Sequence, residues 1–308
     1  MIFAAEGAQI AHATQSLPRT VGAWSWYITH GNDSTGVAYQ LGCNEGHARA
    51  GDLGNSEIIL DFGSQVPNQS ETRLPFHDGF ASYSLVESMS EQFARGYFEC
   101  TGSDTTTVLK LAVGTTNDNV DGEYNSTTTA YNGGYAWSQV ALIVRNWVAS
   151  SHYTAQVDVG AASDMETEFG GQSATLAFTN GYSSNSGAPF YLDFGDAGGC
   201  PINSYTGGNG YGCNSGWNQY GVWYKSWGPA PAFPLPEIYN QPLANQWWTI
   251  SRYGYYERNA ALHFEGPLDD YDRDHSTFTP TQAWNALSNE IGSDSHTNYS
   301  MTYSCEIH

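Results

Sequence analysis

Eight short segments with the composition of β-strands recur along the chain, and most of them alternate with segments of helical periodicity. These segments are residues 23–30, 57–65, 107–115, 153–161, 189–194, 233–239, 261–266 and 300–307. They are rich in aromatic, β-branched and aliphatic residues, as strands buried in a parallel sheet are. Alternation of strand and helix at intervals of roughly 30–45 residues predicts a parallel sheet wrapped by helices. Eight such units in 308 residues predict one α/β domain, a (β/α)8 barrel of the TIM type.

Helical periodicity is clearest in residues 80–100, where Leu85, Met89 and Phe93 recur at steps of four and Ser82 can cap the helix. The other predicted helices are residues 133–151, 173–181, 217–227, 243–254 and 280–291. Residues 38–50 are poorly patterned and receive no assignment. We expect residues 1–20 to be an N-terminal extension and residues 21–308 to be the barrel domain.

The charge balance excludes several classes of partner. The chain has 31 acidic and 10 basic residues, a net charge of −21. Such a surface repels phosphate backbones and anionic lipid, so we expect no nucleic-acid partner and no membrane partner. No run of 18 apolar residues is present, which argues against a transmembrane helix. Neutral polymers, cations and basic proteins remain as partners, and the sequence leaves the oligomeric state open.

Five cysteines and the overall composition indicate an exported protein. Residues 1–17 lack the basic start and apolar centre of a secretion signal. Scarce lysine, abundant small polar residues and 21 tyrosines are nevertheless typical of a secreted, extracellular protein in its mature form. Cys200 and Cys213 enclose a glycine-rich loop and predict a disulfide. Cys43 and Cys100 are a second candidate pair, which leaves Cys305 free.

Two acids at the end of the fourth predicted strand are the main candidates for a functional site. Asp164 and Glu166 are spaced i and i+2, so a strand would carry both on one face, and the preceding residues are small. The chemistry of such barrels is located at the carboxyl ends of the strands. Asp61, Asp193 and Asp196 also follow predicted strands. An alternative interpretation is that these acids cap helices or lie on a solvated surface.

Carboxyl groups arranged in this way fit glycoside hydrolysis, which needs one protonated and one ionised acid beside the scissile bond. We predict Glu166 as the proton donor, with Asp164 setting its protonation by crowding. Asp61, Asp193 and Asp196 are candidates for the base, the nucleophile or a charge stabiliser. The predicted substrate is a polysaccharide or oligosaccharide, most simply a neutral or cell-wall polymer.

Substrate-binding residues are predicted from aromatic side chains beside loops. Most tryptophans are large core residues, but the ring of one near a strand end can stack on a sugar. Trp24 and Trp217 adjoin predicted loops and are the expected exceptions. Asp196 and Tyr239 are the other predicted substrate-binding residues.

No cofactor is expected. Asn117, Asn119 and Asp121 match the first half of a calcium loop, but the twelfth position is Thr128 instead of Glu. Calcium is therefore a weak alternative, and no metal ligands are assigned. The chain has no Gly-x-Ser-x-Gly elbow, phosphate loop or dinucleotide fingerprint, so a serine hydrolase, a nucleotide-binding protein and a redox-cofactor enzyme are unsupported.

Four short motifs carry a resemblance to a known group of proteins. Residues 59–63 (Ile-Leu-Asp-Phe-Gly), 96–104, 162–166 (Ala-Ser-Asp-Met-Glu) and 235–240 (Leu-Pro-Glu-Ile-Tyr-Asn) resemble uncharacterised secreted proteins of actinobacteria. That resemblance implies export and a glycosidase-like barrel. Where Glu237 and Glu265 stand, the group often has Gln and Gly, so the resemblance makes these two acids weaker catalytic candidates than Asp61, Asp164 and Glu166.

A more distant resemblance links Asp164 and Glu166 to lysozyme-type and chitinase-type barrel glycosidases, although the longer aspartate run of the chitinase type is absent. We therefore expect a secreted carbohydrate-active protein, and the carboxylate pair predicts a glycoside hydrolase. The alternative is a non-catalytic barrel that binds glycans or has a surface or assembly role.

Overall fold

A computed structural model describes residues 23–51, 55–102, 104–229 and 231–308. In these residues the strands are β1 (Ala23–Tyr27), β2 (Ser56–Gln65), β3 (Glu71–Arg73), β4 (Phe80–Ser82), β5 (Leu109–Thr116), β6 (Val157–Asp164), β7 (Tyr191–Asp193), β8 (Ala232–Pro234), β9 (Leu268–Asp269) and β10 (Cys305–Ile307). The α-helices are α1 (Thr35–Arg49), α2 (Tyr83–Cys100), α3 (Thr127–Ser150), α4 (Gln172–Ser184), α5 (Gln219–Trp227), α6 (Gln241–Arg258) and α7 (Pro280–Gly292).

Eight of the strands form one parallel sheet that closes into a ring. Their order is β8-β7-β6-β5-β2-β1-β10-β9, while β3 and β4 form an antiparallel hairpin beside the end of β2. The ring closes just beyond β8, where the Ile238 N–H donates to the Leu268 carbonyl and the Leu268 N–H donates to the Pro236 carbonyl, both at 2.8 Å. Neighbours in the ring are therefore neighbours in the chain, and the predicted (β/α)8 fold class is confirmed.

Small residues line the interior of the barrel near its carboxyl end. Gly114 pairs with Ala162, and Thr116 pairs with Asp164 one step further along the same face. Below them the interior is filled by larger side chains such as Ile59, Leu192 and Leu268. The lack of bulk at Gly114 and Ala162 leaves room above the packed interior, and Asp164 lies at the edge of that space.

Helix α1 occupies the region to which the sequence pattern gave no assignment. Its buried residues are Ala38, Gly42, Cys43 and Gly46, which lie on one face but are too small to give a hydrophobic signal. Gly42 is needed because a Cβ there would lie 2.0 Å from the Phe93 carbonyl oxygen of α2. The two helices thus pack backbone to backbone, and hydrophobic periodicity does not reveal this kind of contact.

Both predicted disulfides are present. Cys43–Cys100 links α1 to the end of α2, and Cys200–Cys213 closes the loop after β7. Cys305 is a buried free cysteine, as expected.

The seventh barrel strand lies later in the chain than predicted. Residues 261–266 were expected to form it, but β9 covers Leu268–Asp269. Leu262 and Phe264 belong instead to the outer core between the helices, where Phe264 contacts the ring of Trp247. The predicted N-terminal extension, residues 1–20, lies outside the described residues. None of the helices in the described ranges combines the length and apolar character needed to cross a membrane.

Candidate active site

Three carboxyl groups meet at the carboxyl end of the barrel. Asp164 is the last residue of β6, Glu166 follows it by two positions, and Glu237 follows β8. One carboxylate oxygen from each of the three lies within 4.8 Å of the other two. We call Asp164, Glu166 and Glu237 the carboxylate cluster. Asp164 and Glu166 thus point to the same side of the strand end, and Glu237 approaches them from two strands away.

Asn117, the residue after β5, fixes the position of Glu166. Its Nδ2 donates to the Glu166 carbonyl oxygen at 2.9 Å, and the Glu166 N–H donates to its Oδ1 at 3.0 Å. The same Nδ2 lies 3.2 Å from the hydroxyl of Thr175 in α4. The main chain of Glu166 is therefore held, while its carboxylate has no hydrogen bond or ion pair with any described residue and remains half-buried.

Lys225 of α5 supports the cluster from below. Its ammonium group is fully buried and donates to the carbonyl oxygens of Met165 and Asp196, and it pairs with Asp193 at 3.1 Å. Asp193 also accepts a hydrogen bond from the Ser226 hydroxyl and is 0 % exposed. The predicted candidate Asp193 is thus held in a buried ion pair. It does not face the open carboxyl end of the barrel, which we call the mouth.

A cavity of about 260 Å³ opens beside the cluster. Its walls are Tyr27, Asp61, Gly63, Pro75, Phe76, His77, Thr116, Asp118, Asp164 and Phe169. Asp61 lies on β2, and its Oδ1 accepts the Gly63 N–H at 2.8 Å. Phe76 and Phe169 are 66 % and 40 % exposed, so two aromatic rings are available at the entrance.

Burial and mutual repulsion raise the pKa values of the acids at the mouth. Burial, together with the neighbouring Asp196 and Glu168, raises the pKa of Glu166 to about 7. Burial alone raises the pKa of Asp61 to about 6, opposed by the Gly63 N–H. The pKa values of Asp164 and Glu237 lie well above their ordinary values, first through burial and then through repulsion within the cluster. Carboxyl groups of the cluster therefore remain protonated near neutral pH.

The predicted substrate-binding residues are divided between the mouth and the core. The Tyr239 hydroxyl donates to Glu237 Oε1, and Asp196 accepts the Thr167 N–H at 3.1 Å beside Glu166. Trp217 is 1 % exposed, and its indole N–H donates to the Gly170 carbonyl. Trp24 lies on the outer face of β1, where its ring contacts His308 at 4.2 Å. Tyr239 and Asp196 are thus at the site, whereas Trp24 and Trp217 are not.

The residues of the calcium-like loop have protein partners. Asn117 holds Glu166, Asn119 bonds to Asn125 and to the Tyr124 N–H, and Asp121 forms a bidentate ion pair with Arg73 at 2.6 Å. These three side chains do not converge on a common point. The carboxylate cluster has a spacing that would also suit a metal ion, and so does the group of Asp272, Glu306 and His308 on the outer surface.

Sequence reasoning missed Phe76 and Phe169 at the mouth and ranked Glu237 too low. Glu237 was considered a weaker candidate because of the resemblance, and only the closure of the ring brings it to Glu166. Phe76 and Phe169 lie in loops without a recognisable motif. The left-handed backbone of Phe76 and His77, both at φ 60°, is a local signal of a strained functional loop, but it is visible only in coordinates.

The ring closure and the acidic mouth define the protein as a TIM-type (β/α)8 barrel with a carboxylate cluster at its carboxyl end. No family model and no curated protein matches the chain, so the resemblance to a secreted actinobacterial group stays a prediction. Among solved structures, an endo-1,4-beta-mannanase from Rhizomucor miehei is similar, with 10 % identity, a TM-score of 0.41, and coverage of 96 % of this chain and 89 % of that chain.

Proposed function

We propose that the protein is a glycoside hydrolase that uses Glu166 as general acid and Glu237 as nucleophile. The observation that supports this proposal is the approach of their carboxylate oxygens to within 4.8 Å at the mouth of the barrel. Retaining glycosidases hold their two carboxyl groups about 5–5.5 Å apart, whereas inverting enzymes leave about 6.5–9.5 Å for a water molecule. The short separation favours retention of the anomeric configuration.

The hydrogen bonds around the cluster support this division of roles. Three carboxyl groups this close cannot all be ionised at neutral pH. Burial and Glu166 raise the pKa of Glu237, and the hydrogen bond that the Tyr239 hydroxyl donates opposes this rise. That bond favours the ionised form that a nucleophile needs. Glu166 has no such donor and lies beside Asp196 and Glu168, so it retains the proton that the leaving oxygen must receive.

Two further acids complete the proposed mechanism. Asp164 lies within 4.8 Å of Glu166 and favours its protonated form by repulsion, and Asp61 stabilises the positive charge that develops on the sugar ring from the other side of the cavity. Asp193 acts through Lys225, which holds the main chain on both sides of the site. It is therefore a positioning residue in this proposal.

Phe76 and Phe169 are the proposed platforms for the sugar rings, in place of Trp24 and Trp217. Their exposed rings offer apolar faces on which a pyranose can stack. The substrate is a polysaccharide without acidic groups, either a neutral polymer or a cell-wall glycan, because the carboxyl groups at the mouth repel anions. We also propose that the protein acts outside the cell, and the two disulfides support this location.

A panel of bacterial, fungal and plant polysaccharides tests the proposal. The variants Glu166→Gln and Glu237→Gln should each lower hydrolysis of the best glycan by about 10²–10⁴-fold. Glu257→Gln, at an exposed position of α6, is the matched control and should retain wild-type activity. Binding of glycans without hydrolysis by the wild-type protein, across the panel, would instead support a non-catalytic glycan-binding barrel.

A further inference from the structure

The charges at the mouth select among the polysaccharides that the proposed function allows, and the inference rests on that function. We propose that the substrate contains amino sugars with free amines, and that one ammonium group binds in the cavity between Asp61 and Asp164. The ligand class is therefore a cationic glycan instead of a neutral one.

The acids around the cavity outnumber the bases. Asp61, Asp118 and Asp164 line the cavity, and Glu166 and Glu237 lie beside it. Among the described residues that form its walls, His77 is the single basic side chain, and it is exposed and lies 3.7 Å from Asp118. A cation entering this space would meet Asp61 and Asp164, neither of which forms an ion pair with a basic side chain in the described residues.

Lys225 and Arg273, two basic residues near the cavity, have other partners. The Lys225 ammonium group is buried among Asp193 and two main-chain carbonyl oxygens. Arg273 lies over the rings of Tyr27 and Phe76 and is 3.6 Å from Asp270. Neither hydrogen-bonds to Asp61 or Asp164 in the described part of the chain.

Asp164 independently indicates that the cavity binds a ligand with a hydrogen-bond donor. Its side chain is only 7 % exposed, it lines the cavity, and its Oδ1 is buried without a hydrogen-bond partner among the described residues. A buried carboxylate oxygen without a donor is costly. An ammonium group has three donors and a positive charge, so it satisfies this oxygen and neighbouring Asp61 better than a neutral hydroxyl does.

The other walls of the cavity also suit an amino sugar. The rings of Tyr27, Phe76 and Phe169 surround the acids, and aromatic faces attract both cations and the apolar face of a sugar. The pKa values of Asp61 and Asp164 are raised, so ionisation of either carboxyl group is unfavourable in the free protein. A bound cation would remove that penalty and allow both acids to ionise.

The test compares oligosaccharides of equal length and linkage, built from glucosamine, N-acetylglucosamine or glucose, at about pH 6, where the sugar amine is charged. Hydrolysis by the wild-type protein gives kcat/KM, and calorimetry on the Glu166→Gln variant gives Kd without turnover. We expect the glucosamine oligomer to be preferred by about tenfold or more, and the preference to shrink at about 0.5 M salt because the attraction is screened.

Asp61→Asn should remove most of this preference in Kd, because the amide keeps an acceptor for the Gly63 N–H but has no charge. Asp158→Asn is the matched control: it removes one charge from an exposed position at the start of β6 and should keep the preference. Hydrolysis of neutral or N-acetylated oligomers without preference for free amines would overturn the inference and leave the proposed function intact. Tight binding of glucosamine oligomers without hydrolysis of any glycan would contradict the proposed function and support the ligand class.

Discussion

The side-chain amide of Asn117 bonds to both main-chain groups of Glu166, donating to the carbonyl oxygen at 2.9 Å and accepting the N–H at 3.0 Å. Asn117 itself follows β5, and its own N–H donates to the Asp164 carbonyl oxygen at 3.0 Å. One strand thus positions the acid that follows the next strand. A carboxylate that must donate a proton along a fixed direction requires such support.

Replacing Asn117 should damage the proposed chemistry more than substrate binding. Asn117→Ala removes both bonds to Glu166, so we expect kcat to fall about 10–100-fold, with a KM that changes little. The free energy of unfolding should fall by about 1–3 kcal/mol because the main-chain groups lose buried partners. Asn119→Ala, in the same loop, is the control and should leave kcat near the wild-type value. An unchanged kcat in Asn117→Ala would show that the two bonds from Asn117 to Glu166 have no role in catalysis.

The aromatic entrance should contribute binding and not chemistry. Phe76→Ala and Phe169→Ala remove the exposed rings, and we expect KM for the best glycan to rise about tenfold, the effect of losing roughly 1–1.5 kcal/mol of stacking. The rate at saturation should remain close to that of the wild-type protein. Steady-state kinetics provide the measurement, with Tyr131→Ala on the exposed surface of α3 as control. A loss confined to kcat would argue against a stacking role.

The mouth should make the protein less stable at alkaline pH. The pKa of Glu166 is raised from an ordinary 4.5 to about 7, and that of Asp61 from 3.8 to about 6. At pH values between the ordinary and the raised pKa of each acid, the folded protein binds more protons than the unfolded chain. The free energy of unfolding therefore falls as pH rises from about 4 to about 7.

Urea unfolding at a series of pH values measures this effect. The free energy of unfolding should be higher at pH 5 than at pH 8, and Glu166→Gln should reduce the difference by about 1 kcal/mol or more. Glu257→Gln should retain the wild-type dependence. A stability that increases from pH 5 to pH 8 would contradict the electrostatic description of the mouth.

The two disulfides should differ in their contribution to stability. Cys43–Cys100 closes a loop with a sequence separation of 57, and Cys200–Cys213 closes one of 13. Loop entropy predicts losses of about 4 and about 3 kcal/mol when each pair is replaced by alanine. Chemical denaturation of the two double variants tests the order. Equal stability of the variant lacking Cys43 and Cys100 and the wild-type protein would show that α1–α2 packing alone holds this region.

The barrel strands could be predicted because most of them are buried on both faces. Residues 58–60 and 109–113 are almost entirely aliphatic, and a parallel sheet requires such runs. Helix α1 could not be predicted because its contact with α2 depends on Gly42 and the disulfide of Cys43. Small residues leave no periodic hydrophobic signal, even though they allow the closest approach of two helices.

The acids of the candidate site could be located only in part. The spacing of Asp164 and Glu166 placed both at one strand end, because alternation along a strand is local information. Glu237 depends on how β8 and the chain beyond it align with β9 in the closed ring, which no local pattern encodes. The placement of Trp24 and Trp217 was equally hidden, since a side chain beside a loop can point to solvent or to the core.

Trapping of a covalent intermediate tests the paired roles of Glu166 and Glu237 most directly. The protein is incubated with activated 5-fluoro glycosides of the sugar that it hydrolyses, which keep the substituent at C2, and the labelled peptide is identified by mass spectrometry. A mechanism with retention predicts one glycosyl adduct per chain, on Glu237, and none in Glu237→Gln. An adduct on another residue, or hydrolysis that releases the product with inverted configuration, would contradict the account.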